Sequence, residues 1–382
     1  MKDRAKSLSP IVILTMMAAT AAVAAVAMLP IEGPQKSGDF NLFLFRWMNS
    51  IRQHGLASIS GEFSEYTPPY IYLLNLAAQI EPWVGTVTAI KLVNLPFVAL
   101  CAWGIGALVR EVGGDQNRGM LAAAVAIICP SLLVNAFAHG QCDSIFASFL
   151  IWFVYFAVRQ RPALASVMFG LALSFKLQAV FVSPLLLTLV LWRRVKLWHL
   201  VLIPATYILM MVPAALAGRP WTELLTIYFR QRDVMHDLSL NAPNPWWLLR
   251  DVVDYRVGLI FGLAAGMAAI GMLVWRSMRV ERNALTILLI ATASAALLPW
   301  VLPKMTARYF IVADLLTIAL AFVRPRLWPS AVLIQLGSLL AIVAYFTPWN
   351  TAAAAIWPTT MGLGILVYEL FVRERRDANA AG

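Results

Sequence analysis

The chain is poor in charge. Of its 382 residues only 13% are Asp, Glu, Lys or Arg, about half the share of an ordinary soluble domain, and a soluble globular protein is thereby excluded. Cysteine is scarce as well: Cys101, Cys129 and Cys142 show no CxxC spacing, and two of them lie in apolar blocks. That leaves neither a disulfide framework nor a zinc site, and the three read as small apolar fillers. Gly-rich phosphate loops, low-complexity tracts, internal repeats and linkers to a separate soluble domain are all missing. Acidic residues number 19 against 30 Lys and Arg, a formal charge of +11. Most of that surplus falls in short loops between apolar blocks, so it reads as membrane orientation and not as a nucleic-acid surface.

What the chain has in quantity is apolar sequence, 61% of its residues, with a mean hydropathy of +0.75. Uncharged blocks such as Ile11 to Ile31, Val257 to Trp275 and Ala352 to Val372 can each cross a hydrocarbon core roughly 30 Å thick. The fold class expected is an all-α polytopic membrane protein. The basic start and apolar stretch at the N-terminus resemble a signal peptide, but the block is long and many others follow, so it is expected to be a retained first helix.

Lys2, Arg4 and Lys6 are expected to hold the N-terminus in the cytoplasm. The first helix, residues 10 to 30, then delivers residues 31 to 87 to the outside. Basic clusters at Arg110 with Arg118, Arg159 with Arg161, Arg193 to Lys196, Arg276 to Arg282, Arg324 with Arg326 and Arg373 to Arg376 each follow one outward and one inward crossing. This predicts about twelve spans, the later ones at residues 88–109, 119–135, 144–158, 162–178, 180–192, 197–216, 256–275, 283–300, 306–323, 327–346 and 352–372, with both termini inside. Segment 69–82 is too short and polar for a span and is expected to lie on the outer surface. The long loops, 31–87 and 217–255, are then both external, and any chemistry belongs to that face. The division expected is a catalytic module at 1–192 and a variable transmembrane module at 193–382.

The first loop runs GDFNLFLFRWMNSIRQHG, with Phe40, Phe43, Leu44, Trp47 and Ile51 at helical spacing. Asp39 stands either as the N-cap of that amphipathic helix or as a carboxylate placed to take a proton from an alcohol. Further on, Glu62, Glu65 and Tyr66 precede a Pro-Pro helix start. They form a solvated turn or shape an acceptor site. The short loop AHGQCD gathers His139, Gln141 and Asp143 at a membrane boundary, where such groups are costly without partners. One His and one Asp fall short of a metal-ligand set, so no metal is expected. Lys176 and Gln178 interrupt the apolar run LALSFKLQAVFVSP. The lysine snorkels to the interface, binds a phosphate or pairs with a carboxylate. Arg230, Arg232, Asp233, His236 and Asp237 in the second loop, with Lys304 and Arg308 in LPKMTARY, run against the positive-inside bias. They are interfacial anchors or the sign of an anionic ligand.

In order, GDFNLFLFRWMNSI, FSEYTPPYIYLL, AHGQCDSIF and SFKLQAVFVSP resemble the motifs of the GT-C fold glycosyltransferases. The likeness is to the ER glucosyltransferases of asparagine-linked glycosylation and to bacterial GPI-mannosyltransferase-like proteins, and it extends to about residue 190. Two departures stand out: the family's Lys-Gln is here Lys176-Leu177-Gln178, and Gly140 follows the histidine where an aromatic is usual.

The resemblance implies inverting transfer of glucose or mannose from a polyprenyl-phosphate donor to a glycolipid, lipid-linked oligosaccharide or polysaccharide. It implies no cofactor, and a monomer in a bacterial inner membrane with its site facing outward. In that reading Asp39 deprotonates the acceptor. Lys176, Arg308 and Arg230 or Arg232, with Lys304 beside Arg308 on the same face, meet the departing phosphate, while His139 and Gln141 orient the donor. A single base suffices for inversion, whereas retention calls for a second carboxylate. A transporter of lipid-linked sugars is the rival, but it would show repeat symmetry and mid-bilayer ionisable groups.

Overall fold

The computed structural model describes residues 9–28, 40–231, 236–347, 349 and 351–373. Apolar blocks in lipid must satisfy their backbone groups internally, and nearly every one of them here is helical. Helices Pro10–Met28, Thr86–Val112, Gln116–Ile127, Asp143–Val158, Pro162–Phe175, Leu202–Leu216, Tyr255–Ser277, Ala284–Val301, Ile311–Val323, Trp328–Phe346 and Thr351–Tyr368 lie close to the expected spans. Among the described residues six helical segments are long and apolar enough to cross a membrane. A seventh appears if Gln116–Ile127 and Pro130–Ala138, bent by 43° across the break between them, count as one.

Three expected spans are therefore corrected. The block at 162–178 ends as a helix at Phe175, because Lys176 is extended. The next opens with a 3-10 turn, Leu177–Val182, before the short helix Ser183–Leu191. The block at 306–323 opens with a short strand and a 3-10 turn, Ala307–Phe310. All three irregular stretches sit where polar residues interrupt the apolar pattern, and all three border the site described below.

Burial sorts the helices. Ala284–Val301 is 78% buried and Leu197–Leu216 only 17%, so the first is a central helix and the second a peripheral one with its side chains turned outward. Close approach in the centre depends on small residues. A Cβ on Gly106 would stand 2.7 Å from the Gly119 carbonyl oxygen and 3.0 Å from Ala123 Cβ, so the helices carrying them cross backbone to backbone. Buried hydrogen bonds fix the register nearby: Ser144 donates to Asn94 at 2.9 Å, and Asn94 donates to the Ala136 carbonyl at 3.3 Å.

The two long loops are folded onto this bundle. In the first, Phe40, Leu44, Trp47 and Ile51 of the expected face are buried, Phe43 is half-buried, and Met48 joins them, across a π-turn, Phe40–Leu44, and a helix, Phe45–His54. The expected surface segment is the helix Pro68–Val84. Its N-cap, Thr67, donates to the Ser174 carbonyl at 2.6 Å, which ties the loop to the residues just before Lys176. In the second loop, strand Ser239–Leu240 pairs in parallel with Met305–Thr306. The Trp246 indole donates to the Val301 carbonyl at 2.6 Å, and Asn244 donates to Pro299 and Leu302.

Because the Gly106 contact is with backbone, Gly106→Ala should lower stability by about 1–3 kcal/mol through overpacking. A thermal unfolding series in detergent reads this directly, and an unchanged midpoint would show that the helices can separate at no cost.

Candidate active site

The loops and the helix ends beneath them enclose a cavity of about 570 Å³. Its chemical centre is Asp143, the first residue of helix Asp143–Val158 and fully buried. Lys176 Nζ donates to Asp143 Oδ1, Asn135 Nδ2 donates to Oδ2 at 2.9 Å, and Arg308 Nε lies 3.5 Å from Oδ2. One carboxylate thus holds two cations, and the triad carries a net positive charge. A buried ion pair is costly unless its geometry and hydrogen bonds are complete. Here Lys176 and Arg308 both line the cavity.

Local backbone explains how the partners meet. Asn135 lies in the π-turn Val134–Ala138, and its carbonyl accepts from the Gln141 backbone at 3.0 Å. Gly140 closes the loop at φ 70°, a left-handed conformation that favours glycine. That is the physical reason an aromatic does not stand here. Lys176, extended at φ −149° and ψ 138°, turns out of its helix toward Asp143.

An aromatic wall faces the cations. Trp47 and Tyr66 have ring centroids 5.0 Å apart, Tyr66 and Tyr70 5.6 Å, and Lys176 Nζ sits 5.2 Å from the Tyr66 centroid. Burial pushes the Tyr66 phenol above its ordinary value, against the pull of Lys176 and Arg308, so it stays protonated and able to donate. His139 packs between Tyr345 at 4.7 Å and Phe346 at 5.2 Å.

Of the residues singled out in the sequence, Glu65, Tyr66, His139, Gln141, Lys176, Gln178, Asp237 and Arg308 line this one cavity, with Asp143 beneath. Others are elsewhere or outside the described residues. Arg230 pairs with Glu62 at 3.0 Å beside a smaller pocket. His236 and Lys304 both approach the Tyr255 ring, at 5.7 Å each, and neither lines the cavity. Asp39 and Arg232 lie outside the described residues, although Phe43, Leu44 and Trp47, which follow Asp39 in the chain, are in the wall. Among the described residues no three His, Cys, Asp or Glu side chains come together to hold a metal ion.

Sequence reasoning missed Asn135, Arg250 and Tyr345. Arg250 stacks 3.3 Å from the Trp247 ring centroid and lies 3.3 Å from Asp251. The one signal for it was the Trp-Trp pair three residues upstream, which marks an aromatic platform for a cation.

Residues 62–193, less than half of the chain, match the MptA_B family, described as alpha-(1->6)-mannopyranosyltransferase, N-terminal domain. The chain is also similar to the crystal structure of ArnT from Cupriavidus metallidurans bound to undecaprenyl phosphate. The TM-score is 0.54 at 13% sequence identity, over 96% of this chain and 79% of ArnT. No curated protein matches it in sequence. The fold is the GT-C fold of polytopic membrane proteins. The family match covers residues 62–193, and the likeness to ArnT is one of fold.

If Asp143 is the counter-charge that keeps Lys176 and Arg308 in place, Asp143→Asn should cost about 3–5 kcal/mol by leaving buried cations unpaired. Pairing it with Lys176→Gln should recover part of that loss. Unfolding measurements on the single and double variants test this, and strictly additive losses would mean the side chains do not act as a unit.

Proposed function

We propose that the protein moves a hexose, glucose or mannose, from a polyprenyl phosphate to a hydroxyl of a glycan or glycolipid at the extracytoplasmic face, with inversion. The observation that carries this reading is the buried Asp143 carboxylate setting Lys176 and Arg308 into the wall of a large cavity beside an aromatic face. ArnT, the similar structure, is bound to undecaprenyl phosphate, and a phosphate of that type is the anion the two cations suit.

In the reaction the acceptor oxygen attacks the anomeric carbon and the bond from that carbon to the phosphate oxygen breaks. Charge builds on the departing phosphate, and fixed cations in a water-poor site stabilise it more as the bond lengthens. Lys176 acts as a point charge, and Arg308 adds the planar donor geometry that suits a phosphate. Asp143 is unsuited to be the base, because its oxygens are taken by Lys176, Asn135 and Arg308. The acceptor proton passes instead to Asp39, the carboxylate that opens the first-loop motif. Trp47 and Tyr66 offer rings on which the apolar face of a pyranose can lie.

A transporter reading finds less support, since Lys176, Arg308, His139, Gln141 and Tyr66 line one cavity at the loop end of the bundle. Polyprenyl-phosphate glucose and polyprenyl-phosphate mannose, supplied separately to purified protein with pooled membrane glycolipids, should show loss of hexose from one. Release from neither would sink the reading. Asp39→Asn should abolish turnover while donor binding persists. Lys176→Met should slow transfer by about 10²–10³-fold, the scale of losing one charge-stabilising donor, and retained turnover in either variant would reject the assigned role.

A further inference from the structure

Next to the main cavity lies a second pocket of about 190 Å³, lined by Glu62, Ser64, Glu65, Arg219, Arg230 and Gln231 together with Ile227. Glu65 and Gln231 belong to both, so the two spaces meet at one seam. Pockets for drug-sized ligands run to roughly 300–1,000 Å³, and the smaller space suits a single sugar unit and not an extended chain.

Two polar atoms of the pocket lining lack a hydrogen bond, as does Glu223 Oε2 beside them. Glu65 Oε2 is buried and has no hydrogen-bond partner among the described residues. Arg219 is 3% exposed; its Nε makes no hydrogen bond there, and the nearest carboxylate oxygen, Glu223 Oε2, is 3.7 Å away. Buried polar groups in native proteins are normally satisfied, so these two call for a ligand that both donates and accepts. A hydroxyl does both.

Charge separates this pocket from its neighbour. Arg230 pairs with Glu62 and Arg219 lies beside Glu223, while Glu65 lines the same space. A hydrogen bond from Glu223, then one from Arg230, hold the Glu62 carboxyl below its usual range, while Glu223 is raised by sharing that proton. Two guanidinium groups and two carboxylates line this pocket, so it carries no net positive charge, whereas in the main cavity Lys176 and Arg308 stand together on one side. A phosphate gains nothing here over the main cavity, whereas a neutral polyol can use every group. The pocket is also formed in advance: Gln231 donates to the Glu65 carbonyl and Arg230 pairs with Glu62, which fixes helix Trp221–Gln231 against the first loop.

We infer that this pocket holds a neutral sugar of the acceptor, with Glu65 taking a hydrogen bond from one of its hydroxyls and Arg219 and Arg230 donating to its oxygens. The inference rests on the glycosyl-transfer reading and narrows it: the acceptor presents a neutral sugar, not an anionic group, at the seam with the donor cavity. Glu65 is a positioning residue, and the proton acceptor remains Asp39.

The test uses full-length protein in nanodiscs and separate probes. Methyl α-mannopyranoside, methyl α-glucopyranoside and mannose 6-phosphate are titrated by saturation-transfer NMR, and undecaprenyl phosphate by quenching of tryptophan fluorescence. At least one methyl glycoside should bind. Glu65→Gln, which keeps the shape, and Arg230→Gln, on a half-exposed side chain, should each weaken it by about tenfold, and Arg230→Gln should leave undecaprenyl phosphate within about twofold of wild type. Lys176→Met should do the reverse. Mannose 6-phosphate should bind no more tightly than the methyl glycoside.

Failure of both glycosides to bind wild-type protein, unchanged glycoside affinity in both pocket variants, or preference for mannose 6-phosphate would each overturn the inference. If undecaprenyl phosphate does not bind while glycoside binding follows Glu65 and Arg230, the sugar pocket stands and the polyprenyl-phosphate reading falls.

Discussion

A single buried carboxylate organises the centre of this molecule. Asp143 cannot be ionised in an apolar bundle without partners, and Lys176 and Arg308 cannot be drawn inward without a counter-charge. Each therefore requires the others, and the helix ends that carry them must meet. The extended backbone at Lys176, the left-handed Gly140 and the 3-10 turn around Arg308 are the local adjustments that let three regular helices deliver these side chains to one point. The loops follow from the same demand. Thr67 is tied to the end of the lysine's helix, and the strand Met305–Thr306 just before Arg308 is paired by the second loop.

That arrangement divides the work between two adjoining spaces. The main cavity has an excess of positive charge on one wall and aromatic rings on the other, which suits a phosphate carrying a sugar. The smaller pocket has guanidinium and carboxylate groups in balance, which suits hydroxyls. Glu65 and Gln231 stand at the junction, so a sugar leaving the first space and an alcohol held in the second would approach across a short gap. Closeness of this kind converts a bimolecular step into one within a single complex.

The apolar pattern made the helical membrane fold readable, and the spacing of Phe40, Leu44, Trp47 and Ile51 disclosed a buried helix face in the first loop. Lys176 was conspicuous as a cation in an apolar run. Its partner was not, because the pairing spans 33 positions and depends on where two helices end. Arg230 shows the opposite outcome: grouped with the donor-binding cations by its loop, it is instead held by Glu62, 168 positions away. Lys304 and His236 likewise turn toward Tyr255 and not into the cavity.

Sequence alone determined the solvent this chain lives in, the helices that follow from it, and the small set of polar residues that had to be explained, because hydrophobicity and the cost of buried charge are local properties. Which cation meets which carboxylate, and hence how charge is laid out around the two spaces, was decided only by the tertiary structure. Electrostatic preference depends on distances of a few ångströms between residues far apart in the chain, and those distances are set by packing.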